Sequence, residues 1–182
     1  RKMNFDTKVI HAGQPHPRIE GAVNVPIFQS STFEYKGQKN YDDLVYVRLN
    51  NTPSHKSVSN KIAQLEGAEK AVVTSSGMSA ITTTLLHFLN AGDHIIAHKN
   101  LYGGTAHFMK HGLPSYGIEV DLIDARNPDN WEKKLKDNTK VIYVETMTNP
   151  LVEVVELEAI VNFAKSNNCL LYTSDAADEE AW

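Results

Sequence analysis

A run of small residues between an apolar segment and a helical pattern could bind an anion. Residues 73–80 read VTSSGMSA and lead from an apolar run directly into helical spacing. The first N–H groups of a helix have no intrahelical acceptor, and the helix dipole places partial positive charge there. Ser76, Gly77 and Met78 are therefore candidates to hold a phosphate, although such residues also serve simply as helix caps.

Five further polar or aromatic residues could contribute to the same site. Tyr46 and Arg48 form a Tyr-x-Arg pair, and a guanidinium fork suits a phosphate dianion, although a single arginine is more often a solvated surface residue. Tyr102 follows an apolar run and offers a stacking face and a titratable hydroxyl, or it is a core aromatic residue. Glu145 and Asn149 lie at the end of another apolar run, either as ligand contacts or as parts of a turn before a proline.

The histidines provide a weaker signal. His107 and His111 lie four residues apart on a predicted helix, as a zinc-binding pair would, and His94 and His98 have the same spacing on the preceding segment. No cysteine cluster or supporting glutamate accompanies them. We therefore expect no metal and interpret these residues as helix-surface or interface histidines.

Composition limits the range of functions. The chain has 182 residues, 41% of them hydrophobic, and a formal charge of −4, which fits one globular core and gives no basis for binding nucleic acid or an anionic membrane. Its one cysteine, Cys169, lies in an apolar run and is typical of a reducing compartment. With neither a leader-like segment nor a membrane-length apolar stretch in view, the expected location is the cytoplasm. Neither a GxGxxG fingerprint nor a P-loop is present.

The periodicity predicts an α/β fold. Residues 1–55 contain several prolines and no sustained helical period, which indicates an extended arm, and apolar spacing then predicts a helix from Ser57 to Glu66. Short apolar runs rich in β-branched residues predict five buried strands at 71–73, 94–97, 120–123, 141–144 and 169–171. Helical segments are expected near 78–90, 103–112, 129–136 and 154–168. Alternation of this kind gives a mostly parallel sheet flanked by helices, whose ligands bind at the carboxyl ends of the strands.

Several motifs in register resemble the Cys/Met-metabolism family of pyridoxal-phosphate (PLP) enzymes. This family includes cystathionine γ-synthase, the cystathionine lyases, methionine γ-lyase and the O-acylhomoserine sulfhydrylases. The resemblance covers about residues 3 to 171 and is carried by residues 7–13, 25–33, 46–53, 73–80, 101–105 and 144–150. It implies the fold-type I PLP-dependent transferase architecture, in truncated form. It also implies a trans-sulfuration activity, that is, β/γ-elimination or γ-replacement on sulfur-containing amino acids.

The resemblance also implies a role for each candidate residue. Gly77 and Met78, with Ser76 beside them, correspond to the phosphate anchor. Tyr46 and Arg48 correspond to a pair that reaches the phosphate of a neighbouring subunit, which implies a homo-oligomer such as a dimer of dimers. Three further residues correspond to the groups around the cofactor ring: Tyr102 stacks on it and exchanges protons, Asn149 lies near the ring oxygen, and Glu145 supports the site.

The sequence departs from the family pattern after residue 171. The aspartate that pairs with the pyridine nitrogen in the family would fall on Ser174, and Asp175 is one residue out of register. No lysine has the Ser-x-Thr-Lys setting of the cofactor-binding lysine. We expect three parts: an arm over 1–55, the first part of a PLP-binding domain over 56–171, and a non-native tail over 172–182 that resembles a translated adapter or vector junction. The alternative is a short noncatalytic α/β module that binds a phosphorylated ligand or a partner subunit.

Overall fold

The computed structural model describes residues 3–127 and 129–174, apart from the side chain of residue 129. Contacts group the chain into two compact units, Arg1–Val73 and Thr74–Trp182. The helix at Pro53–Glu66, predicted from Ser57 and assigned to the PLP-binding domain, thus groups with the arm. The domain boundaries after residues 55 and 171 stay predictions. Asp175 and the rest of the predicted tail beyond Ser174 lie outside the described residues.

The first unit contains more helix than the sequence predicted. Helix α1 spans Phe5–His11, three 3-10 turns follow at Ile19–Gly21, Tyr41–Asp43 and Val47–Leu49, and helix α2 spans Pro53–Glu66. The prediction of an arm without a helix was wrong for α1, because Asn4 caps it by accepting a hydrogen bond from the Thr7 N–H at 2.9 Å. The backbone of Gly13 (φ +72°) then passes close to α2, where an added Cβ would lie 2.5 Å from the carbonyl oxygen of Ser57. Only glycine fits this approach without strain.

The second unit is a parallel sheet with helices on both faces. Its strands are β1 (His94–His98), β2 (Glu119–Ile123), β3 (Thr139–Glu145) and β4 (Leu170–Ser174), in the spatial order β2-β1-β3-β4. Its helices are α3 (Gly77–Phe88), α4 (Gly103–His107), a π-helical turn (Phe108–Gly112), α5 (Leu113–Ser115), α6 (Asp129–Glu132) and α7 (Leu157–Ser166). The predicted mostly parallel α/β sheet is confirmed.

Successive residues of each strand point to opposite faces, and the central strands β1 and β3 are buried on both. Ile95 and Tyr143 belong to a core cluster that includes Ile81 and Leu85 of α3. Ile96 belongs to the second cluster, together with Val144, Trp131 and Ile160. Burial on both faces explains why β1 and β3 have continuous apolar runs.

Some predicted elements differ from the structure. Residues 71–73 pair with no strand among the described residues, and Val72 is 78% exposed, so the predicted first strand was wrong. Helix α7 begins at Leu157 instead of residue 154, because Val154 forms an antiparallel bridge with Met147. Strand β4 continues through residues 172–174, which we had set apart as tail.

Candidate active site

Helix α3 begins at the predicted anion-binding run. Ser76 is the N-cap, and its hydroxyl accepts a hydrogen bond from the Ser79 N–H at 3.0 Å, so the capping role weighed as the alternative is present. The N–H groups of Gly77 and Met78 lie in the first turn, where no intrahelical carbonyl is available to them. Ser76 and Gly77 are exposed. This helix end can therefore present two backbone donors and the positive end of the helix dipole to an anion.

Tyr102 lies at the carboxyl edge of the sheet, in the turn between β1 and α4. Its N–H donates to Oε1 of Glu145 at 2.8 Å. Glu145 ends the adjacent strand β3 and is 1% exposed. The order of the parallel strands thus brings together two candidate residues that lie 43 positions apart in the sequence.

Gly104 lies between the Tyr102 ring and the side chain of Met78 at the start of α3. A Cβ added at Gly104 would lie 2.9 Å from Cε1 of Tyr102 and 3.0 Å from Sδ of Met78. The Thr105 hydroxyl lies 3.8 Å from the same sulfur atom. Met78 and Tyr102, both half-buried, are therefore close neighbours, and a side chain between them would displace one or the other.

Asn149 lies in a loop that folds back on itself between β3 and α7. Thr148 and Glu153 close the loop, since the Thr148 N–H donates to the Glu153 carbonyl at 3.0 Å and the Glu153 N–H donates to Oγ1 of Thr148 at 3.1 Å. The Asn149–Pro150 peptide bond is cis, and Asn149 is half-buried. The Glu153 carboxylate accepts a hydrogen bond from Nδ2 of Asn100 at 2.7 Å, which joins this loop to the turn that carries Tyr102.

Tyr46 and Arg48 belong to the first unit. The guanidinium carbon of Arg48 lies 4.6 Å from the centre of the Tyr46 ring, a cation–π contact. The Tyr46 N–H donates to Oδ1 of Asn51 at 2.9 Å, and Nδ2 of Asn51 donates to the Leu44 carbonyl at 2.6 Å. Arg48 is exposed and makes no ion pair with any residue that the structure describes. Tyr46 also forms an antiparallel bridge with Thr32, and the Val47 N–H donates to the Ser31 carbonyl at 2.9 Å. The backbone of the pair is thus held while the guanidinium lies in solvent.

Ser174, where the family aspartate would fall, is the last described residue. It pairs with Glu145 in the β3–β4 ladder, and its carbonyl accepts from the Thr146 N–H at 2.9 Å. Beneath this edge Tyr143 is fully buried and stacks on Tyr172 with ring centres 5.1 Å apart. Burial raises the pKa of Tyr143 above its ordinary value, so its phenol stays neutral and supports the edge by packing.

The histidines fall into two groups. His94 and His98 are fully buried strand residues: Nδ1 of His94 lies 2.8 Å from Oγ1 of Thr139, and Nδ1 of His98 accepts from the Ala125 N–H at 2.9 Å. Burial lowers the pKa of both imidazoles. The rings of His107 and His111 lie 4.8 Å apart on the helical segment after Tyr102. Within residues 3–127 and 129–174, no three histidine, cysteine or acidic side chains form a group that could hold a metal ion.

Sequence reasoning missed three residues of this edge: Gly104, Asn100 and Glu153. Gly104 follows Tyr102 by two positions, and a glycine this near an aromatic residue is a signal for close packing. Asn100 and Glu153 are 53 positions apart, and no periodic pattern links them. In the part of the chain that the structure describes, no helix combines the length and apolar character needed to cross a membrane.

A parallel sheet with an open helix N-terminus and an anchored tyrosine at its carboxyl edge is an arrangement suited to a phosphorylated ligand. Residues 6–177 match the family model described as Cys/Met metabolism PLP-dependent enzyme. The chain therefore belongs to that family, and the resemblance found in its motifs is confirmed.

Individual relatives agree with this assignment. The chain is 42% identical to an L-methionine gamma-lyase of Fusobacterium nucleatum and 40% identical to a cystathionine beta-lyase of Lactococcus lactis. Each alignment covers 92% of this chain, but only 44% and 43% of the respective relatives. The chain thus spans less than half the length of these proteins.

Solved structures confirm the fold-type I architecture. The crystal structure of a cystathionine gamma-lyase from Lactobacillus plantarum complexed with L-serine superposes with a TM-score of 0.87 at 32% identity, over 95% of this chain and 45% of the other. A putative O-acetylhomoserine (thiol)-lyase from Campylobacter jejuni, described with N'-pyridoxyl-lysine-5'-monophosphate, gives 0.86 at 25% identity, over 96% of this chain and 44% of the other.

Proposed function

We propose that this chain supplies the phosphate-binding and ring-stacking part of a PLP-dependent enzyme that breaks or makes a C–S bond in sulfur-containing amino acids. The observation that carries the proposal is the contact of Met78, at the open end of α3, with the Tyr102 turn. The donor set suits PLP, since the Gly77 and Met78 N–H groups have no intrahelical acceptor at the start of α3 and the Tyr102 ring lies close to the Met78 side chain.

Each candidate residue has a proposed role that its position supports. The Gly77 and Met78 N–H groups bind the phosphate, and the Ser76 hydroxyl fixes the helix start that presents them. Tyr102 covers one face of the cofactor ring, and its hydroxyl exchanges a proton with the substrate amine. Glu145 holds the Tyr102 backbone.

Asn149 and the Tyr46–Arg48 pair complete the proposed cofactor contacts. The Asn149 amide donates to the ring oxygen. The exposed Arg48 binds the phosphate held by a second copy of the chain, which makes the active protein a homo-oligomer such as a dimer of dimers. PLP supplies the electron sink that lets the protein remove the proton at the substrate Cα and then eliminate or replace a group at the β or γ carbon. The lone free thiol of Cys169 supports a cytoplasmic location.

The test is an assay of the complete protein encoded at this locus. Purified protein loaded with PLP is incubated with L-cystathionine, L-methionine, or an O-acylhomoserine plus sulfide, and C–S bond cleavage or formation is followed. We expect turnover of at least one substrate. PLP binding without turnover of any of them favours the alternative, a noncatalytic module that binds a phosphorylated ligand or a partner subunit. Absence of PLP binding contradicts the proposed function.

Subunit mixing tests the proposed role of Arg48. If the Arg48 guanidinium serves a neighbouring copy, an Arg48→Ala protein and a Gly77→Pro protein are both impaired, and co-assembly of the two creates some intact sites. We expect mixed oligomers to recover activity above that of either variant alone. Recovery that never exceeds the better variant contradicts a shared site.

A further inference from the structure

One side chain joins the two loops that carry Tyr102 and Asn149. These loops follow different strands, and the hydrogen bond from Nδ2 of Asn100 to Oε2 of Glu153, 2.7 Å long, runs between them. Asn100 lies two residues before Tyr102, and Glu153 lies four residues after Asn149. The link therefore acts close to both proposed cofactor contacts.

The loop that carries Asn149 and Glu153 is closed by its own hydrogen bonds. Thr148, which is 2% exposed, exchanges two hydrogen bonds with Glu153, and the Val152 N–H donates to the Thr148 carbonyl at 2.9 Å. Met147 and Val154 form the bridge at the base of the loop. Because Asn149 directly follows Thr148, fixing Glu153 also fixes the position of Asn149.

The Glu153 carboxylate is held from more than one side. Oε1 accepts a hydrogen bond from Nη1 of Arg126, and Nε2 of the buried His98 lies 4.0 Å from Oε2. Arg126 also donates to both carboxylate oxygens of Asp124, at 2.9 and 2.7 Å, and this contact holds the pKa of Asp124 well below its ordinary value. The Glu153 carboxylate is thus held by Arg126 at Oε1 and by Asn100 at Oε2.

The other side of the Tyr102 turn has a separate anchor. The Tyr102 N–H donates to Glu145, and the Lys99 N–H donates to the Ile123 carbonyl at 2.7 Å. Both anchors hold the backbone of the turn to the sheet, and neither reaches the Asn149 loop. The Asn100–Glu153 hydrogen bond sets the spacing between the Tyr102 turn and the Asn149 loop.

We propose that Glu153 is a positioning residue that fixes the loop carrying Asn149 to the turn carrying Tyr102. The proposal depends on the proposed function in one respect, that PLP contacts both segments. The ion pair with Arg126 is largely at the surface, where such pairs contribute little to stability. The hydrogen bond to Asn100 is the contact of Glu153 that reaches the turn carrying Tyr102.

The test compares four variants of the complete protein by amide hydrogen exchange without PLP. Glu153→Ala and Asn100→Ala remove the link, Glu153→Gln keeps a carbonyl acceptor for Asn100 while losing the charge, and Glu156→Ala is a control at an exposed glutamate three residues away. We expect the first two variants to raise exchange about tenfold in peptides covering 99–103 and 147–153. Exchange in the buried strand 94–97 stays unchanged, and the Gln and control variants stay within about twofold of the parent.

A second readout is the PLP dissociation constant. We expect a rise of about two- to tenfold in Glu153→Ala and Asn100→Ala, with recovery in Glu153→Gln. Unchanged exchange in both loops overturns the proposal, and so does a Glu153→Gln protein as mobile as Glu153→Ala, because the ion pair would then be the determinant. A parent protein that binds no PLP contradicts the proposed function. The exchange data then still show whether Glu153 fixes the Asn149 loop to the Tyr102 turn.

Discussion

Gly104 and Gly103 offer a matched pair of substitutions that tests the packing of the site. Both begin α4, but a Cβ at Gly103 meets nothing within 4 Å, whereas one at Gly104 lies 2.9 Å from the Tyr102 ring and 3.0 Å from Sδ of Met78. Ordinary carbon contacts are about 3.5–4.0 Å, so in Gly104→Ala the ring or the thioether must move by about 0.5–1 Å.

The expected magnitudes follow from these contacts. Each substitution gains up to about 1 kcal/mol of helix propensity, and Gly104→Ala loses about 1–3 kcal/mol through overpacking. The free energy of unfolding of Gly104→Ala should therefore lie about 1–3 kcal/mol below that of Gly103→Ala in urea titrations. Loss of a stacked aromatic contact, about 0.5–1.5 kcal/mol, weakens PLP binding by about two- to twelvefold.

The assay is a PLP titration of both complete proteins, paired with urea unfolding. Gly103→Ala should match the parent in PLP affinity, and Gly104→Ala should not. Equal affinity and equal stability in the two variants would refute the close packing of Tyr102, Gly104 and Met78.

The remaining predictions concern capping, the core and pH. Ser76→Ala removes the α3 cap and should lower the free energy of unfolding by about 1 kcal/mol, while Ser76→Asp, which restores an acceptor, should not. Leu85→Ala, at a site 1% exposed, should cost about 2–5 kcal/mol in urea unfolding, and Leu86→Ala, at a site 38% exposed, less than about 1 kcal/mol; similar losses would contradict the burial of α3. Burial lowers the pKa of His98 below 6.5, so the unfolded chain takes up the proton first as pH falls. The free energy of unfolding should therefore be fully present above pH 6.5 and should fall as the pH drops below 6.5, by up to about 1.4 kcal/mol per pH unit. His98→Asn, whose amide oxygen can accept the hydrogen bond from the Ala125 N–H, should reduce that slope. An unchanged slope would show that His98 is not the responsible group.

Sequence patterns predicted the centre of the sheet because strands β1 and β3 are buried on both faces. Such strands have continuous apolar runs, as at His94–His98 and Thr139–Glu145, and the ends of these runs also located Tyr102 and Glu145. The same rule failed at residues 71–73, where the apolar residues have no neighbouring strand among the described residues and Val72 is largely exposed. An apolar run predicts a strand only where another strand is available to pair with it.

Local sequence patterns could not predict contacts between residues that lie far apart in the chain. Helix α1 depends on the Asn4 cap and on contacts with α2, in which Lys61 donates to the Val9 carbonyl at 3.0 Å. The Asn100–Glu153 bond joins residues from different strand ends, and only the tertiary fold brings them together. The roles of Tyr46 and Arg48 stay predictions, because they concern a second copy of the chain.

The central claim is that the N–H groups at the start of α3 bind the PLP phosphate, and Gly77 allows a direct test. Proline suits the first helical position and removes the N–H, while Gly77→Ala keeps it, and Ser76 already has the extended backbone (φ −163°, ψ 161°) that precedes proline. The measurement is the PLP dissociation constant of the two complete variants. Loss of one charge-assisted hydrogen bond, about 1.5–3 kcal/mol, predicts binding at least about tenfold weaker in Gly77→Pro than in Gly77→Ala. Equal dissociation constants in the two variants would contradict phosphate binding at this helix end.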